Sequence, residues 1–130
     1  MSDTKYKILI VDDDKFLLGM YELKFHKNGH EVTMITSAAD ALSKLKDGFV
    51  PDIMLLDIVL PGMDGLQLLE AIRKDKICSN AIIVILTNQG GQEEIEKAKS
   101  LNADGYLVKA TLIPSEVVEE VLKIAEKNKK

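Results

Sequence analysis

Three carboxylates, a hydroxyl and an ammonium stand at the same kind of place in this sequence. Ile8 to Val11 is an apolar run ending in Asp12 and Asp13, Ile53 to Leu56 ends in Asp57, Ile82 to Leu86 ends in Thr87, and Tyr106 to Val108 ends in Lys109. If these runs are parallel strands of one open sheet, their carboxyl ends share an edge and the five side chains meet there. Two like charges about 4 Å apart repel by roughly 4 kcal/mol at an effective dielectric near 20, so clustered carboxylates need either a proton or a bound cation. Hard carboxylate oxygens with no histidine or cysteine beside them favour Mg²⁺ or Mn²⁺ over zinc.

A carboxylate beside a divalent ion is a poor base but a usable nucleophile toward phosphorus, because the metal and a lysine absorb charge on the transferring oxygens. Asp57 stands alone at the centre of the cluster and is the expected nucleophile. Asp12 and Asp13, adjacent in sequence, divide direct and water-mediated metal contacts. Lys109 pairs with a carboxylate or a phosphoryl oxygen, and the Thr87 hydroxyl donates to the new phosphoryl group. The chemistry expected at this edge is metal-dependent phosphoryl transfer.

The elements that must position these residues follow from patterning. Tyr6 to Val11 is a near-continuous apolar run of the kind a strand covered on both faces shows. The next segment reads as a helix whose apolar positions are Phe16, Leu17, Met20 and Leu23 with the stem of Lys24, capped by Asp14 and stopped at Asn28-Gly29. Glu31 to Ile35 reads as a strand, and Ser37 with Asp40 opens a helix carrying Ala41, Leu42 and Leu45 that stops at Gly48.

Pro51-Asp52 precedes the third strand, and Asp64 caps a third helix carrying Leu66, Leu69 and Ile72. Gly90-Gly91 makes a pliable connection into a charged helix over Gln92 to Leu101. Gly105 to Val108 is a short fifth strand, and Pro114 opens a last helix striped by Val117, Val118, Val121, Leu122 and Ala125. Strands joined by helical crossovers are parallel and the crossovers right-handed. The expected fold is α/β, a doubly wound five-stranded parallel sheet of flavodoxin-like (βα)5 type with strand order 2-1-3-4-5. No linker or repeat interrupts it, so residues 1–130 read as one domain.

Composition narrows the classes. At 130 residues and 46% apolar content the chain is long enough to bury a core without staples, and the lone Cys78, read as a loop or surface thiol, fits a reducing cytosol. No signal peptide or membrane-length apolar stretch is present, so the expected location is cytoplasmic with no membrane partner. Seventeen basic against twenty-one acidic residues give a net charge of −4 with no basic stripe, which argues against direct nucleic-acid binding. Lys127, Lys129 and Lys130 read as a solvated helix end suited to the macrodipole. His26 and His30 read as surface residues flanking a turn.

The residues also carry a resemblance. Asp12-Asp13 after the first strand, Asp57 followed by Leu60-Pro61-Gly62-Met63-Asp64-Gly65, Thr87 after the fourth strand, and Tyr106 with Lys109 on the fifth resemble the receiver domain of two-component response regulators. The match spans the chain. It implies that Asp57 takes a phosphoryl group from a histidine kinase or phosphotransfer protein, with Mg²⁺ held by Asp13, Asp57 and the backbone carbonyl of Val59, and with Asp12 acting mostly through water. It further implies that Lys109 contacts the acyl phosphate and that Thr87 swings toward it, drawing Tyr106 inward. The surface of the fourth helix, fifth strand and fifth helix is then rearranged for a downstream protein partner.

Departures from the family pattern carry expectations of their own. Ala110 stands after Lys109 where the family usually has a proline joined by a cis bond; the reading adopted is that the fold imposes a cis Lys109-Ala110 bond despite a cost of about 3 to 4 kcal/mol. Asn88 is bulkier than the usual residue after the threonine and Val59 has no polar group to orient water, so the acyl phosphate is expected to be long-lived, with Gln89 as a compensating holder of that water. With no output domain following the fifth helix in this sequence, a stand-alone regulator is expected, and because Glu116, Glu119 and Glu120 stand where families that dimerise through this face supply arginine, that dimer is not expected. Two other readings stay open: a receiver-like interaction module that is not phosphorylated, and a flavodoxin-like cofactor binder or aspartyl phosphatase. Against them stand the full acid and lysine set, the absence of a phosphate-cradling loop after the first strand, and Ile58-Val59 in place of an Asp-x-Asp motif.

Overall fold

Strand and helix alternate along the chain as the patterning requires. The computed structural model describes residues 4–88 and 91–128. Its strands are β1 (Lys7–Val11), β2 (Glu31–Ile35), β3 (Ile53–Asp57), β4 (Ile82–Thr87) and β5 (Gly105–Val108). Its helices are α1 (Lys15–Lys27), α2 (Ala38–Lys46), α3 (Gly65–Lys74), α4 (Gln92–Ser100) and α5 (Pro114–Lys127), with a 3₁₀ turn at Lys109–Thr111. All pairings are parallel and the order is β2-β1-β3-β4-β5, as expected. Gln89, Gly90, Lys129 and Lys130 lie outside the described residues, and with them the expectations placed on Gln89, on Gly90 and on the end of the basic tail.

The period of two along each strand divides the core into two layers. Leu9, Val11, Met54, Leu56, Ile83 and Ile85 face α2, α3 and α4, where Ala41, Leu45, Leu68, Leu69, Ile72 and Ala98 meet them. Ile8, Ile10, Ile53, Leu55, Val84 and Leu86 face α1 and α5, covered by Leu18, Tyr21, Phe25, Val117, Val118 and Val121. Burial on both faces explains why β3 and β4 read as unbroken apolar runs. The helix caps follow their residues: Asp14 accepts from the amides of Phe16 and Leu17, and Asp64 and Gln67 form a reciprocal capping box. Pro114 occupies the first turn of α5. No helix among the described residues is long and apolar enough to cross a membrane.

Two expectations fail here. The buried stripe of α1 is Leu18, Tyr21 and Phe25, whereas Phe16 and Leu23 are 76% and 57% exposed. The segment is apolar on several sides, so helical spacing alone admitted two stripes, and packing against α5 selected the one carrying the larger aromatic rings. His26 is exposed as expected, but His30 is 6% exposed. Its Nδ1 accepts the Tyr6 amide at 3.0 Å and its ring lies 5.4 Å from that of Tyr6, so it ties the entry of β1 to the entry of β2. Cys78 is half-buried in a loop, where burial raises its pKa and keeps the thiol protonated.

Candidate functional site

Register brings the acids together. Val11 pairs with Leu56 and Ile35, so the residues immediately following, Asp12 and Asp57, emerge side by side where β1 and β3 end. The Asp12 amide donates to the Ile35 carbonyl, extending the ladder by one residue. Thr87 pairs with Val108, which places Lys109 just beyond the same edge. This is where the strand order reverses direction, the position at which open α/β sheets assemble ligand sites.

Asp12, Asp13 and Asp57 each offer a carboxylate oxygen, and these oxygens lie within 4.8 Å of one another. Asp12 and Asp57 are buried and Asp13 is exposed at the mouth. The Lys109 ammonium donates to Asp12 Oδ2 at 2.7 Å and to Asp57 Oδ2 at 3.1 Å, with only 8% of its side chain exposed. Asp12 Oδ1 accepts the Asp14 amide at 2.9 Å. Asp57 Oδ1 is buried and meets no hydrogen-bond donor among the described residues.

The electrostatics follow from this arrangement. Burial first, and then the charge of Asp12, push the Asp57 pKa up to about 6, with Lys109 pulling it back. Burial works against the charge of Lys109, but Asp12 and Asp57 together outweigh it and raise its pKa, so the ammonium stays charged. One lysine against three carboxylates leaves the cluster negative. An excess of hard oxygen donors, one of them buried and without a donor, fits a small divalent cation.

The remaining expected residues lie around this cluster. Thr87 is buried at the end of β4. The Tyr106 hydroxyl is also buried, with Thr87 as a polar neighbour; burial and the charge of Glu94 raise its pKa and Thr87 partly offsets them. Val59 is 62% exposed and lines a shallow cleft of about 290 Å³ with Thr87, Asn88 and Glu94. The Lys109-Ala110 bond is trans, contrary to the expected cis bond. The cost of a non-proline cis bond goes unspent, because the 3₁₀ turn at Lys109–Thr111 already carries the lysine to both acids.

Gly65 has a place at the site that the sequence reading did not give it. A Cβ there would lie 2.0 Å from the Asp57 carbonyl oxygen, so its missing side chain lets α3 start hard against the end of β3. The signal was a glycine directly after the capping Asp64. Glu94 was missed too, since the cleft it lines depends on how α4 meets the β3–α3 loop.

A family model described as the response regulator receiver domain matches residues 8–121. The chain belongs to that family. Among curated relatives, the receiver is 31% identical over 121 residues to the DNA-binding response regulator MtrA of Mycolicibacterium smegmatis, covering 93% of this chain and 51% of that protein. It thus spans about half the length of that relative. A CheY-like receiver domain protein from Methanospirillum hungatei superposes with a TM-score of 0.84 at 27% identity, over 96% of this chain and 97% of the other. The Francisella response regulator 1452 receiver domain gives 0.81 at 30% identity, over 96% of this chain and all of the other (100%). Phosphorelay signalling is therefore the business of this domain, and receiver domains work with histidine kinases.

Proposed function

We propose that this receiver stores one phosphoryl group on Asp57, taken from the phosphohistidine of a histidine kinase or phosphotransfer protein. The phosphorus–nitrogen bond breaks as a phosphorus–oxygen bond to the Asp57 carboxylate forms, and the imidazole leaves with the electron pair and takes up a proton. The observation that carries the proposal is the division of labour within Asp57: Oδ2 is held by Lys109 while Oδ1 is buried with no donor. Such a carboxylate is oriented yet not quenched by hydrogen bonding.

Asp13, Asp57 and the Val59 backbone carbonyl would hold Mg²⁺, with Asp12 acting mostly through water and Mn²⁺ as a substitute. When bound, the ion neutralises charge building on the transferring oxygens. Lys109 exchanges its bond to the Asp57 carboxylate for one to a phosphoryl oxygen. Thr87 donates its hydroxyl to the same group and Tyr106 follows it, which changes the surface formed by α4, β5 and α5 for a downstream protein. The domain assists its own transfer and slow dephosphorylation and does not turn over a substrate. A net charge of −4 supports protein over nucleic acid as the direct partner of this chain.

The test is incubation with acetyl phosphate and Mg²⁺, read by intact mass. One phosphoryl group is expected on the wild type and none on Asp57→Asn. No Mg²⁺-dependent adduct would return the protein to the class of unphosphorylated interaction modules. Since Val59 offers no polar group to orient water and shares a cleft with the bulky Asn88 beside Thr87, hydrolysis is expected to be slow, and Val59→Asn to accelerate it.

A further inference from the structure

The α3 helix meets the acid site at one end and the far end of α4 at the other. Its first residue, Gly65, donates its amide to the Ile58 carbonyl at 2.9 Å and lies so close to β3 that a Cβ would come within 2.0 Å of the Asp57 carbonyl oxygen. A close-packed contact of this kind leaves no slack, so a shift of the backbone at Asp57 is passed to the helix behind it. The helix runs ten residues to Lys74, with Leu68, Leu69 and Ile72 buried on its inner face.

Glu70 and Arg73, three residues apart on one side of α3, reach α4. Lys97 donates to Glu70 at 3.0 Å, but both side chains are about half exposed and such a pair contributes little. Arg73 makes the firmer contact. Its Nε donates to the Leu101 carbonyl at 3.0 Å and its Nη2 to the Asn102 carbonyl at 2.9 Å, a forked grip on the turn that ends α4. Asn102 adopts a left-handed backbone there (φ 60°), and the guanidinium also meets the negative end of the helix dipole. Two residues on, the Asp104 amide donates to the Ile83 carbonyl at 2.7 Å and its carboxylate accepts the Ile83 amide at 2.8 Å. β5 and Lys109 follow directly. Little else fixes α4: Ala98 is its one buried residue among those described, and Gly91 supplies no side-chain cap.

We propose that Arg73 is a positioning residue that couples the acid site to the α4–β5 junction through α3, by a route separate from Thr87 and Tyr106. The proposal rests on the reading that Asp13, Asp57 and the Val59 carbonyl hold Mg²⁺. Val59 lies in the loop between β3 and α3, so an ion that draws on Asp57 and Val59 bears on the start of α3, about 12 Å along the helix from the clasp. Gripped by Arg73, α3 backs the Asp57 carbonyl firmly and the site is held ready for the ion. Released, α3 yields, and ordering it is charged against ion binding. Linkage makes the effect reciprocal: whatever the clasp does for the ion, the ion does for the clasp.

The test uses Mg²⁺ alone on the full chain, followed by amide NMR, so that no phosphoryl donor enters and the movement proposed for Thr87 is not triggered. In the wild type the Leu101, Asn102 and Ala103 amides are expected to shift saturably, with the same dissociation constant as Asp13, Asp57 and Gly65. In Arg73→Ala the response at Asn102 is expected to vanish while Asp13 and Asp57 still shift, with Mg²⁺ bound about fivefold more weakly. Arg73→Lys keeps the charge without the fork and is expected to fall between the two, which also serves if the alanine variant does not fold. A merely structural Arg73 would lower the Tm of both variants and leave the Mg²⁺ dissociation constant where it was, and that result would overturn the proposal. So would a response at Asn102 that survives in Arg73→Ala, or wild-type shifts confined to the acid site. Absence of Mg²⁺ shifts at Asp13 and Asp57 would remove the ion from the site, and the proposal with it.

Discussion

At the level of single residues, the burial that orients Asp57 also makes its charge costly. Its pKa in the folded protein is about 6 against an ordinary 3.8, so between those values the folded state binds the proton more tightly than the unfolded chain. Stability from this group therefore falls as pH rises through that window, and at pH 7 the full penalty is present. Asp57→Asn is expected to raise stability at pH 7 by on the order of 2 kcal/mol and to lose that advantage as pH drops toward 4. Urea melts at several pH values give the comparison, and a variant less stable than wild type at pH 7 would contradict the electrostatic account. Lys109→Ala should act in the opposite direction. It leaves the buried Asp12 and Asp57 without their shared ammonium, at a cost of about 3 kcal/mol or more in the same melts.

At the level of elements, two close approaches hold the ends of strands. Gly65→Ala places a Cβ against the Asp57 carbonyl, so α3 and the end of β3 must separate; a loss of about 2 kcal/mol with weakened Mg²⁺ binding is expected, measurable by melting with and without the ion. At the other end, His30 joins β1 to β2 through the Tyr6 amide, a bond that requires Nδ1 to be unprotonated. Burial, and then the charge of Lys5, lower the His30 pKa below 6.5, so stability from this contact falls as pH drops beneath that value. His30→Asn keeps an acceptor for the Tyr6 amide without the titration, and its acid-side loss should be shallower; an unchanged pH profile would remove His30 from the account. These elements also show what the sequence makes legible. Asp12, Asp13, Asp57, Thr87 and Lys109 were readable because parallel strands carry the residues that follow them to one edge, a matter of topology alone. The side of α1 that is buried, the burial of His30 and the trans bond at Lys109-Ala110 were not, since each depends on which surface packs against a neighbour, and periodicity does not encode that.

At the level of the whole molecule, the sheet separates two ends with different chemistry: the strands begin at an aromatic cleft rimmed by Glu119, Lys123 and Glu126 and end in an acid cluster with one lysine. The acid end is where a bound cation would be linked to the fold. A divalent ion bound only by the folded state stabilises by about 1.4 kcal/mol at ten times its dissociation constant, a rise of several degrees in Tm for a domain of this size. Protons compete for Asp57, whose pKa is about 6, so at pH 5 roughly a tenth of it is ionised and the apparent affinity falls about tenfold from its value at pH 7. At a fixed Mg²⁺ concentration, the stabilisation should then shrink from about 1.4 to about 0.4 kcal/mol. Thermal melts with Mg²⁺ or EDTA at the two pH values measure the difference, and Asp57→Asn should flatten it. A Mg²⁺ effect that is equal at both pH values in the wild type would place the ion away from Asp57, and with it the charge neutralisation on which the proposed phosphoryl transfer to this residue depends.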